Sequence, residues 1–205
     1  MTRNRVSAVL AGLLVSAILA ISGPVARADG GKCVPKQGEI GHFQAANPSR
    51  PAPSEAFFDA DDKAKTFADY RGKGLVVNFW ATWCAPCVKE MPDLDRLNAK
   101  LKDEGIEVLT LSADRGGVPV VRPFYEKIQL KTLPILIDKE TRVIRALGVK
   151  GLPTTVLIDR EGLEIGRVVG IAEWDSPKAV AFLRQCLGSR PKLKTTAVDP
   201  AAPAR

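Results

Sequence analysis

Apolar and polar positions along this chain switch repeatedly between the two rhythms of strand and helix. Residues 75–81 are apolar apart from Asn78, which predicts a strand buried on both faces. Past Pro86, apolar side chains at Met91, Leu94, Leu97 and Leu101 recur at helical spacing, so a helix is expected to about Glu104, closed by Gly105. Pro92 falls inside it and is expected to bend it. Residues 106–112 alternate as a second strand, residues 119–128 read as the next helix, and the apolar stretch 133–137 follows. A short helix is predicted over 141–147, ended by Gly148. Residues 154–158 and 164–169 flank Asp159-Arg160-Glu161-Gly162 in the pattern of a hairpin. Asp175-Ser176-Pro177 opens a last helix to about Leu187. Upstream, residues 56–59 suggest a short strand and 66–72 a capped helical turn. This order is a βαβ unit, a further helical crossover, an antiparallel pair and a closing helix. It implies an α/β domain over residues 56–188, with a mixed β-sheet flanked by helices on both faces.

The ends read differently. Residues 1–28 have the build of a secretory signal. Arg3 and Arg5 precede an apolar run over 6–21, and Ala26-Arg27-Ala28 offers a small-residue cleavage site. The run is long for a signal core and short for a membrane span, so a retained anchor is the alternative. Cleavage would start the mature chain at Asp29, in a periplasmic or otherwise extracytoplasmic, disulfide-permissive compartment. Residues 29–55, rich in Gly, Pro, Ala and Ser, read as a linker or loosely ordered arm that carries the single histidine, His42, as a solvated residue. Residues 189–205 read as a disordered tail. The net charge of +7 resides mainly at these ends, leaving +1 on the body. A basic nucleic-acid-binding face is therefore excluded.

The chemistry concentrates in one place. The strand ending in Phe79-Trp80-Ala81-Thr82-Trp83 runs into Cys84-Ala85-Pro86-Cys87, and a helix follows. A cysteine just before a helix meets unpaired amides and the positive end of the macrodipole, which favour its thiolate, the reactive form. Cys87, one turn on, is placed to attack a mixed disulfide at Cys84. A zinc site needs further ligands in a chain with one histidine, and haem attachment needs histidine where Val88 stands.

The segment V-N-F-W-A-T-W-C-A-P-C-V-K-E-M-P, followed later by V-K-G-L-P-T-T-V-L-I-D-R-E-G, resembles the thioredoxin superfamily, and within it the secreted TlpA/ResA branch of thiol–disulfide oxidoreductases. The resemblance covers roughly residues 56–187. It implies that Pro153 is a cis-proline lying against the active-site disulfide, and that the backbone at Leu152 and Thr154 pairs with a substrate segment. It also implies that Glu90 is the acid carried after the motif. Asn78 stands where thioredoxin has a buried aspartate. Glu90 then either exchanges a proton with Cys87 or is a solvated first-turn acid. Trp83 is expected to shield the thiols, Trp80 to pack against the motif or in the core, and Pro86 to restrict the turn and start the helix.

Ala85-Pro86 offers no charge to hold an anion at Cys84, which favours the disulfide form and hence a reducing couple. The resemblance points the same way. It implies protein-disulfide substrates such as apocytochrome c or copper-site proteins, a membrane thiol transporter as reductant, a monomer, and no organic cofactor or metal. A disulfide oxidase or isomerase remains open, as does a copper chaperone using both thiolates, with Met91 the only local extra ligand. Cys33 and Cys186 form a candidate structural disulfide.

Overall fold

The structure, a computed structural model, describes Cys33, Pro35 and residues 40–188. The signal-like segment 1–28 and the tail 189–205 lie outside the described residues. One sheet of eight strands organises the rest: β1 (Phe43–Pro51), β2 (Phe57–Phe58), β3 (Ala64–Lys65), β4 (Gly74–Trp80), β5 (Ile106–Ser112), β6 (Leu136–Ile137), β7 (Thr154–Ile158) and β8 (Leu163–Val169). Their spatial order is β1-β8-β7-β4-β5-β6-β2-β3. The helices are α1 (Ala85–Leu101), α2 (Val118–Lys127), α3 (Arg142–Ala146) and α4 (Pro177–Leu187). β4, β5 and β6 run parallel, while β7 lies antiparallel to β4 and β8 antiparallel to β7.

The period of two along each central strand divides the core. Val76 and Trp80 of β4, Ile106 and Val108 of β5, and Leu157 of β7 face one cluster, with α1, α2 and α4 laid over it. Leu75, Val77 and Phe79 of β4, Leu109 and Leu111 of β5, and Val156 and Ile158 of β7 face a second. There Val143 and Leu147 from α3 and its end, and Phe67 from a 3₁₀ turn over Phe67–Tyr70, complete the packing. Helices thus cover both faces of a mixed sheet. Both faces of β4 are buried, as its nearly unbroken apolar run requires. α1 continues through Pro92 as one element, and a short 3₁₀ turn after it stops at Gly105, whose φ of 74° suits glycine.

Three departures from the sequence reading have physical causes. Part of the supposed arm, Phe43–Pro51, is a strand, paired antiparallel with β8. Its prolines are tolerated because β1 lies at the sheet edge, where one row of amides has no strand to serve. It is held by side chains rather than by strand propensity. The Phe43 ring meets Phe182 of α4 edge-on at 5.3 Å, and it crosses Gly166, where a Cβ would stand 2.3 Å from the ring. Arg50 donates to the buried Glu164 carboxylate at 2.7 Å and to the Leu147 carbonyl. Second, only Leu136–Ile137 of the stretch 133–137 is strand. Pro134 has no N–H, and the amides of Thr132 and Leu133 donate to the Asp95 carboxylate instead of a neighbouring strand. Third, Ala64–Lys65 pairs with β2 in a hairpin that the sequence reading lacked. Asp59 closes it by accepting from the amides of Asp61 and Lys63. Among the described residues no helix is long and apolar enough to cross a membrane.

Candidate active site

β4 ends at Trp80, and the chain turns through Ala81-Thr82-Trp83 into α1, with Cys84 as the residue capping the helix. The Cys84 amide donates to Ala81 O at 3.1 Å, and its carbonyl accepts from Val88 N at 3.0 Å. Cys84 and Cys87 are joined as a disulfide, with Cα atoms 5.3 Å apart. Cys84 is 7 % exposed and Cys87 fully buried, so of the two residues only the first borders solvent. That asymmetry suits an attacking and a resolving cysteine. Pro86 occupies the first turn of α1, where its missing N–H costs nothing.

The loop before Cys84 is fastened by a residue that the sequence reading passed over. Thr82 donates twice to Asp114, from its amide at 2.9 Å and its hydroxyl at 2.7 Å; Ser112 Oγ donates to the same carboxylate at 2.7 Å. Asp114 follows the end of β5, the strand beside β4, so the parallel pair sets the loop's position. Trp83 is 71 % exposed. It stands as an apolar platform beside the motif, not as a closed cover. Trp80 is buried in the core, tilted against Phe124 and Tyr125 of α2 at 5.3 and 5.8 Å.

The Leu152–Pro153 peptide is cis. β7 pairs with β4 up to Thr154 opposite Phe79, so Pro153 falls just past this pairing, alongside the strand end that leads to Cys84. Pro153 O accepts from Gly170 N at 3.0 Å, which ties in the segment after β8. Leu152 is half-buried. Thr154 is buried and its hydroxyl donates to Gly151 O, so its side chain shapes the turn rather than meeting solvent.

Glu90 lies one turn past Cys87 on α1, facing inward at 3 % exposure. A solvated first-turn acid is therefore not what the structure contains. Its Oε1 accepts from Asn78 Nδ2 and its Oε2 from Trp174 Nε1, each at 2.8 Å. Burial pushes the carboxyl up to about 7; the bonds from Trp174, Asn78 and the Ala172 backbone pull it down, and the Asp93 charge adds a smaller push upward. Such a group holds or releases a proton near neutral pH. Asn78 was legible as the one break in an apolar strand. Trp174 gave no signal, because its bond spans a tertiary contact between α1 and the segment before α4. A cleft of about 830 Å³, lined by Glu90, Lys89, Asp93, Ala172, Glu173 and Lys178 among others, gives that carboxyl an approach to solvent, and neither cysteine lines it. Cys33 and Cys186 are each half-buried and packed against the cluster that contains the Cys84–Cys87 disulfide.

A family model described as AhpC/TSA matches residues 48–163, more than half of the chain. A thiol-disulfide oxidoreductase ResA from Bacillus cereus is 40 % identical over 119 residues, covering 58 % of this chain and 68 % of that protein. ResA from a second strain of that species is 37 % identical over 134 residues, covering 65 % and 76 %. Among solved structures, a thioredoxin-family thiol:disulfide interchange protein from Chlorobium tepidum matches with a TM-score of 0.55 at 28 % identity, over 66 % of this chain and 97 % of that one. An exposed lipoprotein thioredoxin from Streptococcus pneumoniae matches with a TM-score of 0.53 at 26 % identity, over 63 % and 95 %. With a cysteine pair at a helix start, a cis-proline beside it and these relatives, the chain belongs to the thioredoxin-like AhpC/TSA family and is a thiol–disulfide oxidoreductase.

Proposed function

We propose that this oxidoreductase works outside the cytoplasm as a reductase of protein disulfides, on substrates such as apocytochrome c or copper-site proteins. The signal-like segment 1–28 and the ResA relatives support the location and the substrate class. Ala85-Pro86, which adds no charge to hold a thiolate at Cys84, supports the direction.

The Cys84 thiolate attacks one sulfur of the substrate disulfide, forming an S–S bond to the substrate and expelling its other sulfur as a thiolate. The Cys87 thiol gives its proton to the Glu90 carboxylate and attacks Cys84 Sγ. The Cys84–Cys87 bond forms and the second substrate sulfur leaves as a thiolate; the substrate dithiol takes one proton back from Glu90 and one from solvent, where Cys84 had released its own on ionising. Two electrons have then passed from the cysteine pair to the substrate, and a membrane-embedded thiol transporter supplies the next two. Leu152, Pro153 and Thr154 offer backbone to an extended substrate segment, with Trp83 and Pro86 as its apolar neighbours.

The observation that carries this reading is the pairing of a fully buried resolving sulfur with a buried carboxyl one turn away, tuned to about 7. Cys87→Ser protein incubated with a disulfide-oxidised apocytochrome c is expected to accumulate a reductant-sensitive adduct that maps to Cys84. No adduct, or one at Cys33 or Cys186, rejects the proposal. Cys33 and Cys186 are proposed as a structural disulfide of the exported form, and the same peptide map made without reductant reads whether they are joined.

A further inference from the structure

Two fully buried side chains grip Glu90 from different elements. Asn78 comes from the middle of β4 and Trp174 from the segment between β8 and α4; each puts an N–H on a different carboxylate oxygen at 2.8 Å. The same segment supplies the Ala172 amide, and it begins at Gly170, whose amide donates to Pro153 O. Between these anchors Ile171 is 49 % exposed, with Val169 just before it 42 % exposed. The carboxyl is thus fixed to β4 on one side and, on the other, to a surface segment bonded to the cis-proline.

Asn78 turns its amide nitrogen to the acid. Its Nδ2 donates to Glu90 Oε1 and also to Thr155 Oγ1 at 2.9 Å, while its buried Oδ1 has no partner among the described residues. This arrangement serves a carboxylate, which only accepts. A half-turn of the amide would present Oδ1 to the hydroxyl of a protonated Glu90, and to that of Thr155. The half-turn would put the amide nitrogen where Oδ1 now lacks a partner, so it exchanges one unpaired buried group for another, and the observed orientation is the one that serves the carboxylate.

We infer that Asn78 and Trp174 are positioning residues for the exchange reaction: together they set when Glu90 holds its proton, and Trp174 ties that proton to the order of segment 170–174 beside Pro153. The inference rests on the proposed proton exchange between Glu90 and Cys87. The charged groups around the carboxyl are Lys89 and Asp93 from α1, Glu173 from the segment and Lys178 from α4, all lining the same cleft. Among the described residues Lys89, Glu173 and Lys178 make no hydrogen bond or ion pair with it, and Asp93 opposes its ionisation only weakly. The two N–H donors therefore dominate the specific control that burial leaves open. Protons reach Glu90 from the cleft, with the segment as part of its wall.

The test is the pH profile of the resolving step, read by stopped-flow, in wild type, Glu90→Gln, Trp174→Phe and Asn78→Leu. Removing a donor from a carboxylate disfavours its charged form, so the limb assigned to Glu90 is expected to move upward by roughly one pH unit in each of the last two. In Glu90→Gln that limb should vanish. Amide protection of Gly170, corrected for intrinsic exchange, is expected to fall in wild type as Glu90 is protonated and to lose much of that dependence in Trp174→Phe, since this amide bonds Pro153 and not Glu90. A merely structural role would lower stability without moving either readout. Limbs fixed at the wild-type pH in Trp174→Phe and Asn78→Leu, with Glu90→Gln still abolishing the limb, overturn this inference and leave the proposed function standing. A limb that survives in Glu90→Gln instead overturns the role of Glu90. Should the core variants fail to fold, the wild-type titration of Gly170 protection decides: no change through the Glu90 limb overturns the coupling.

Discussion

A carboxyl sealed inside a helix–sheet interface affects folding as well as exchange. Glu90 titrates at about 7 in the folded chain against an ordinary 4.5, chiefly because burial penalises its charge. The folded protein therefore binds this proton more tightly than the unfolded one. Its contribution to stability is fully present below the ordinary value and is lost as pH rises through about 7, an effect on the order of 3 kcal/mol. Urea unfolding between pH 5 and pH 8 should show wild type losing stability across that window, and Glu90→Gln losing much less. Equal slopes for the two proteins would contradict the buried-acid assignment. At this scale the sequence exposed the cysteines and Asn78 because each breaks a local pattern. It hid Trp174 and Asp114, because their roles are hydrogen bonds to residues far away along the chain: Trp174 to Glu90, and Asp114 to Thr82.

Elements with a strong internal rhythm were legible: β4, β5, α1, the β7–β8 hairpin and α4 all follow from apolar spacing and turn chemistry. β1 was not, because its burial does not alternate with a period of two and its composition suits a linker. What makes it a strand is its docking on β8, above all Phe43 lying over Gly166. A methyl group at Gly166 would meet the Phe43 ring and the Gln44 carbonyl, the latter at 2.8 Å. Gly166→Ala is accordingly expected to destabilise the fold by roughly 1–3 kcal/mol through overpacking. The Cys84–Cys87 potential should stay unchanged, since Gly166 lies in β8 and the cysteines at the start of α1. Chemical denaturation with a parallel redox titration checks both halves. An unchanged midpoint would mean that β1 is not held by this contact.

At the scale of the whole molecule, the order of elements was enough to give a mixed sheet with helices on both faces, and the site follows from that order. β4 delivers Cys84 to the start of α1, β7 brings Pro153 alongside the end of β4, and α1 carries Glu90 back into the core next to Asn78. The sequence could not place the cleft or the segment 170–174, because both exist only once α1 and α4 pack on the same face of the sheet. The assembled site holds a cysteine pair with no charged residue between them and a buried carboxyl pushed up to about 7, and the proposed direction is that this couple gives electrons away. The equilibrium reduction potential of Cys84/Cys87 against defined thiol buffers tests this directly. A value near that of thioredoxin, roughly −270 mV, is expected of a reductase, whereas one near the strongly oxidising end, about −120 mV, would contradict that role.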